Sequence, residues 1–262
     1  MRELQLRRML ELVRAPSVRH YCEVGMNGGH SAVAMLVANP HITAHVFDPL
    51  EYQYSQPVAS LLRASFGERF RLTPGYSRKT LPSFVRSLAR NGSSCDVLLV
   101  DGDHTEPGTR FDINTLGAAV HASSALVVDD TVPVCLPSSV TSQSGAPFAV
   151  DEADEASYCD DVRAVAAQRK NRRDPRILGP GWAVRKLASA GRMHVTERYG
   201  PFAMGTEVNP CFRTTRRQKC RSAGDIAGDA ACSQWCGAPH EFDWGFVVAR
   251  YTDVRGTARR SA

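Results

Sequence analysis

The chain has 262 residues, enough to bury a full core, and one domain of this length is ordinary for an α/β fold. Hydrophobic residues make up 43% and charged residues 23%, globular proportions that exclude a wholly disordered chain. The net charge of +5 is modest, and no run approaches the ~20 apolar residues of a membrane-spanning helix.

Residues 1–14 set Leu4, Leu6, Met9, Leu10, Leu12 and Val13 among charges. This is the pattern of an amphipathic helix, stopped by Ala15-Pro16, and not of a signal peptide. Residues 21–24 form a short apolar strand that breaks at Gly25, and residues 31–38 a helix closed by Asn39-Pro40. A second strand over 42–47 ends in Asp48-Pro49. Residues 58–66 follow as a helix with Pro57 in its first turn, then a weak strand over 70–73 and a helix over 80–89 stopped by Asn91-Gly92. A strand over 97–100, a helix over 108–121 and a strand over 125–128 complete the alternation. Strands that alternate with helices through short connections predict βαβ units and a parallel sheet. Beyond Asp130 the pattern changes. Residues 131–157 are too long and too rich in Ser, Pro and Gly for a plain connection and read as a substrate-facing lid or flexible insertion, which as a segment covers 132–181, with helical patterns near 155–169 and 182–190. Residues 193–199 and 246–251 alternate as a closing antiparallel pair. The expected fold is therefore α/β, Rossmann-like and doubly wound, with a mostly parallel seven-stranded sheet and an antiparallel closing strand. One domain covers 1–262: an N-terminal helix over 1–17, a core over 18–131, the insertion, and a Cys-rich loop over 205–242.

Two strands end in acids. Val97-Leu98-Leu99-Val100 runs into Asp101-Gly102-Asp103-His104, and Ala125-Leu126-Val127-Val128 into Asp129-Asp130. Acids have no place inside buried strands, so the repetition predicts that they meet at the C-terminal edge of the sheet, where open α/β sheets bind ligands. Three or four oxygens there would suit a hard divalent cation. As the lesser alternative, Asp101 and Asp103 could form a turn around Gly102, and Asp129-Asp130 could cap the next loop. Between the first strand and first helix lies Glu23-Val24-Gly25-Met26-Asn27-Gly28-Gly29-His30-Ser31. Its glycines let backbone approach a ligand whose polar parts meet the helix N-terminus, but the spacing is not the dinucleotide G-x-G-x-x-G. Asp48 stands where an acid accepts hydrogen bonds from ribose hydroxyls, and also where a turn or N-cap acid would stand.

Glu23 to Val33, with Gly25, Gly29, Ser31 and Ala32, resembles motif I of class I S-adenosylmethionine-dependent methyltransferases. The likeness is nearest to the cation-dependent catechol and caffeoyl-CoA O-methyltransferase branch and to the methyltransferase 24 group, and it covers about residues 18–131. It implies S-adenosylmethionine as cofactor, held by Glu23, Gly25, Gly29, Ser31, Asp48, Ser77, Arg78 and Asp101, with Gly75-Tyr76-Ser77-Arg78 on the adenine side. It implies Mg²⁺ or another divalent cation on Asp101, Asp129 and Asp130, and a small hydroxylated acceptor rather than nucleic acid. Two positions depart from the family: Asp130 stands where relatives carry Asn, and His104 where they carry the catalytic Lys. Asp101 and His104 are the candidate catalytic residues. A neutral imidazole titrating near ~6.5 could take the acceptor's proton, whereas neighbouring carboxylates would raise that value and make His104 a hydrogen-bond donor or ligand.

Nine Lys or Arg between Arg163 and Arg192 face one acid, Asp174, and a second basic run spans 213–221. These are solvated faces or, as the rival reading, an RNA-binding surface for a metal-independent methyltransferase or a non-catalytic nucleoside-binding protein. Cys22 and Cys95 begin core strands and read as small buried hydrophobes. Cys211, Cys220, Cys232 and Cys236 lack paired C-x₂-C knuckles; a structural Zn²⁺, two disulfides and free thiols all remain open. A cytoplasmic location is expected, with a secretory one left open by the cysteines.

Overall fold

A computed structural model of the protein describes residues 3–131, 179–203 and 242–252. In chain order the elements are α1 (Glu3–Val13), β1 (His20–Val24), α2 (His30–Ala38), β2 (Thr43–Asp48), α3 (Ser55–Phe66), β3 (Phe70–Pro74), α4 (Ser77–Arg90), β4 (Cys95–Val100), α5 (Glu106–Leu116), β5 (Val120–Val128), α6 (Pro180–Ser189), β6 (Met193–Ala203) and β7 (Phe242–Tyr251). The expected insertion up to residue 178, its helix at 155–169 and the four clustered cysteines lie outside the described residues.

The strands form one seven-stranded sheet in the order β3-β2-β1-β4-β5-β7-β6. The first five run parallel, and β7 pairs antiparallel with both β5 and β6. This is the Rossmann-like arrangement that the alternation predicted. Side chains alternate across the pleat, so each strand feeds two cores. Cys22, Val24, Leu98, Val100, Leu126 and Val128 pack under α4, α5 and α6, meeting Leu81, Val85, Ile113, Leu116, Val184 and Leu187. Tyr21, Val46, Val97, Leu99 and Val127 pack on the opposite face against Met9, Val13, Met35, Leu36 and Leu62 of α1, α2 and α3. Each such side chain contributes about 1.5–3 kcal/mol on burial, which holds the strand ends in fixed register. An Arg8 guanidinium forked onto Glu197 ties α1 to β6, with Nε 2.7 Å from Oε2.

Two expectations are corrected. The helix expected to run to His121 stops at Leu116, because residues 117–119 tighten into a 3₁₀ turn and Val120 already pairs with Cys95. The His121 N–H donates to Ser124 Oγ (2.9 Å) and its ring Nε2 lies 2.7 Å from Asp96, so the segment joins the sheet. Cys22 and Cys95 are buried as expected but are not free: they form a disulfide between β1 and β4, with Cα atoms 5.9 Å apart.

Candidate functional site

The C-terminal ends of β2, β1, β4 and β5 converge because each is hydrogen-bonded to its neighbour just past the strand. Gly25 N–H donates to Phe47 O (2.9 Å), Asp101 N–H to Val24 O (2.9 Å) and Asp129 N–H to Val100 O (3.1 Å). Gly25 takes φ +97°, and a Cβ there would sit 2.0 Å from the Asp101 carbonyl oxygen. Only glycine lets the β1 end cross over the β4 end this closely. Gly29 caps α2 in the left-handed region, at φ +71°.

A cavity of about 470 Å³ opens over these ends, within the range of small-molecule sites. Of the residues expected to serve cofactor or catalysis, Gly25, Asp48, Ser77, Asp101 and His104 line it. Glu23, Gly29, Ser31 and Arg78 do not. Glu23 is fully buried behind the glycine turn, where it accepts a hydrogen bond from the Ser31 hydroxyl. Burial pushes its carboxyl up to about 8, against the opposing effect of the Ser31 and Tyr21 hydroxyls. Arg78 instead lies over the Phe111 ring, 5.6 Å from its centroid. Sequence reasoning missed Asn27, Glu51 and Tyr52 as lining residues and gave Tyr76 no role of its own. Glu51 and Tyr52 lie three and four residues beyond Asp48 in the β2–α3 loop, and that position was the available signal.

Asp48 is nearly buried and accepts three backbone N–H groups. Met26 (2.8 Å) and Asn27 (3.1 Å) donate to Oδ2, and Leu50 (2.6 Å) to Oδ1. It therefore pins the glycine turn to the end of β2. Asp103 holds the start of α5: its Oδ1 accepts from Thr105 N–H (2.9 Å) and its carbonyl from the Thr109 hydroxyl (2.9 Å).

At the far side of the cavity His104 lies between two carboxylates. Its Nε2 is 3.4 Å from Asp101 Oδ1 and its Nδ1 is 3.2 Å from Asp130 Oδ2. Asp101, first by hydrogen bonding and then with Asp130 and Asp129 by charge, lifts the imidazole to about 9, although burial opposes this. The ring is thus a cation at neutral pH, a donor rather than a base. Asp101, His104 and Asp130 offer ligand atoms that all lie within 4.8 Å of one another. Asp129 stands apart from this group. It is buried, accepts the Asp130 N–H (2.9 Å) on its own carboxylate and faces the Gln5 amide of α1. Burial, with Asp101 and Asp130 nearby, raises its carboxyl above the ordinary range. Asp130 takes φ +52°, which turns its side chain toward His104 while Asp129 points inward.

Comparison with known proteins agrees with this fold. Residues 22–131 match the family model described as a methyltransferase domain. No curated protein matches the chain in sequence. Among solved structures, the O-methyltransferase TomG of Streptomyces achromogenes, involved in tomaymycin synthesis and solved with S-adenosylmethionine, superposes with a TM-score of 0.54 at 17% identity. That match covers 97% of this chain and 82% of TomG. An O-methyltransferase from Bacillus cereus, solved with S-adenosylhomocysteine, gives 0.53 at 12% identity, over 95% of this chain and 82% of the other. At these identities they share the fold. No helix among the described residues is long and apolar enough to cross a membrane.

Proposed function

We propose that the chain, whose residues 22–131 match a methyltransferase domain, transfers the methyl group of S-adenosylmethionine to a hydroxyl oxygen of a small acceptor, assisted by a divalent cation. The observation that carries this reading is the Asp101, His104 and Asp130 group at the edge of the cofactor cavity. In the reaction the acceptor oxygen forms a bond to the methyl carbon as the S–CH₃ bond breaks. The sulfonium leaves as a neutral thioether, and the hydroxyl proton passes to water at the mouth of the cavity. The cofactor carries its own leaving group, so the chain's task is to orient the two reactants in line and to manage that proton.

The donor set fits a cation: two carboxylates suit Mg²⁺ or Mn²⁺, and an imidazole adds preference for a transition ion. Asp101, His104 and Asp130 would hold it, with Asp129 and Gln5 behind them fixing the direction of the β5 end. A bound cation supplies Lewis acidity that lowers the pKa of a hydroxyl. His104 as ligand must be neutral, so its proton, held by Asp101 and Asp130, has to leave first. Its high affinity for that proton favours a second reading, in which the imidazolium itself is the positive charge of the site and no metal is needed.

One experiment separates the two. Release of S-adenosylhomocysteine is followed with catechol and a panel of hydroxylated small molecules, with chelator and then with Mg²⁺ or Mn²⁺ restored. The cation reading expects a loss of at least about tenfold in chelator, reversed by metal, and a comparable loss in Asp101→Asn and Asp130→Asn. Activity unchanged by chelator removes the cation and leaves His104 as the donor.

A further inference from the structure

We infer that Ser123, His121 and Asp96 form a second reactive centre, which takes an acyl group from small carboxylic esters. It lies at the N-terminal edge of the sheet, at the opposite end of β4 and β5 from the cofactor cavity, and does not depend on the methyl-transfer reading. β4 and β5 pair at Cys95 with Val120 and again at Val97 with Ala125, so residues 121–124 bulge opposite Asp96 alone. Bulges re-aim side chains, and this one brings Ser123 to His121 and His121 to Asp96.

Asp96 Oδ1 lies 2.7 Å from His121 Nε2, while its Oδ2 accepts the N–H groups of Arg19 (2.7 Å) and His20 (2.8 Å). A carboxylate only accepts, which places the imidazole proton on Nε2 and leaves Nδ1 as the bare acceptor. The Ser123 hydroxyl is 2.9 Å from that Nδ1, closer than the Ser123 N–H at 3.3 Å. A hydroxyl on an imidazole that a third group orients is the arrangement that activates a serine nucleophile. The contact is not needed to close the bulge, because buried Ser124 does that. Its hydroxyl accepts the His121 N–H (2.9 Å) and donates to the Cys95 carbonyl (2.6 Å), whereas Ser123 is exposed. Arg250 Nη1 donates to the Ser123 carbonyl (2.8 Å), so a guanidinium stands at the same residue, the charge that a developing oxyanion requires. In the reaction Ser123 Oγ bonds to the ester carbonyl carbon and its proton passes to His121 Nδ1. The ester C–O bond then breaks and the alcohol leaves with that proton. Water repeats the two steps and frees the acid. A nucleophile on an exposed bulge has little surface with which to grip a substrate, which selects small esters with good leaving groups.

The test treats the full chain with a fluorophosphonate, which loses fluoride as it bonds to an activated serine, and with p-nitrophenyl acetate. Peptide mapping should place one phosphonyl adduct on Ser123, formed at least about tenfold faster than in the same chain unfolded in urea. Ser123→Ala should abolish the adduct and lower ester hydrolysis at least about tenfold. His121→Gln should slow labelling at least about a hundredfold, and Asp96→Asn at least about tenfold, in protein whose urea midpoint shows it folded. Absence of an adduct on Ser123, equal labelling of the unfolded chain, or labelling unmoved in folded His121→Gln would each overturn the assignment. If His121→Gln does not fold, mapping on wild type and the Ser123→Ala comparison decide it.

Discussion

Strands β2, β1, β4 and β5 have two ends, and the chain treats them differently. At the N-terminal ends several polar groups answer one another across strands. Asp96 accepts the N–H groups of Arg19 (2.7 Å) and His20 (2.8 Å) and lies 2.7 Å from His121 Nε2. His20 and His45 share a contact of 3.3 Å, and the Cys22–Cys95 disulfide joins β1 to β4. At the C-terminal ends Asp101, Asp129 and Asp130 gather around one imidazole, while Glu23 and Asp48 hold the glycine turn beside them. There too lie Asn27, Leu50 and Asp130, the positive-φ residues other than glycine among those described. Strained backbone and crowded charge of this kind cost free energy and persist where the surroundings hold them in place. The lesson is a division of labour along single strands, with cross-links at one end and crowded, strained groups at the other.

The largest test removes the cross-link. Cys22 and Cys95 are 73 residues apart in sequence, and closing a loop of that length stabilises the folded state by about 4 kcal/mol on chain-entropy grounds. The double variant Cys22→Ala with Cys95→Ala should lose stability of that order in urea denaturation, yet bind S-adenosylhomocysteine normally at low temperature. A loss of cofactor affinity in the still-folded protein would break the comparison.

The next test uses pH, to which the two ends should respond with opposite sign. Burial, with His20 and Arg71 adding positive charge, holds His45 down to about 4. As pH falls below ~6.5 the unfolded chain takes up this proton before the folded one does. The contribution of His45 is therefore complete above ~6.5 and is lost as pH falls toward 4, roughly 3 kcal/mol in all. Glu23 behaves in reverse: its proton is held by the folded state up to about 8, so its contribution is complete at low pH and is lost as pH rises through 8. Urea midpoints measured from acid to alkaline pH should show His45→Gln flattening the acid limb and Glu23→Gln the alkaline one. Both variants acting on the same limb would contradict the assignment.

The smallest effect sharpens the comparison. Asp130→Gly relieves a left-handed residue and should raise the urea midpoint by an amount worth up to about 1 kcal/mol, while lowering methyl transfer. A variant both more active and more stable would remove Asp130 from the site.

Much of the fold was legible in the sequence, because buried parallel strands announce themselves as apolar runs and glycines mark their ends. Asp101 and Gly25 were legible for the same reason: each sits at the first position beyond such a run. What was hidden depended on which strands are neighbours. Nothing in the spacing of Cys22 and Cys95 says that β1 lies beside β4, so the disulfide was invisible, as were the His20–His45 and His121–Asp96 contacts. Choosing between Asp129 and Asp130 needed a backbone angle at Asp130. Recognising the Ser123, His121 and Asp96 group needed the bulge that sets residues 121–124 opposite Asp96.

The placement of β1 between β2 and β4 also orders events in time. During synthesis β1 and β2 emerge together and can pair at once, but the other edge of β1 has no partner until residues 95–100 follow. Through that interval His20–Val24 presents an open row of backbone donors and acceptors, the kind of edge through which nascent chains stick to one another. Arrival of β4 closes that edge and brings Cys95 to Cys22 in the same movement. The pair that closes the open edge of β1 is then the one that a covalent bond makes hard to undo.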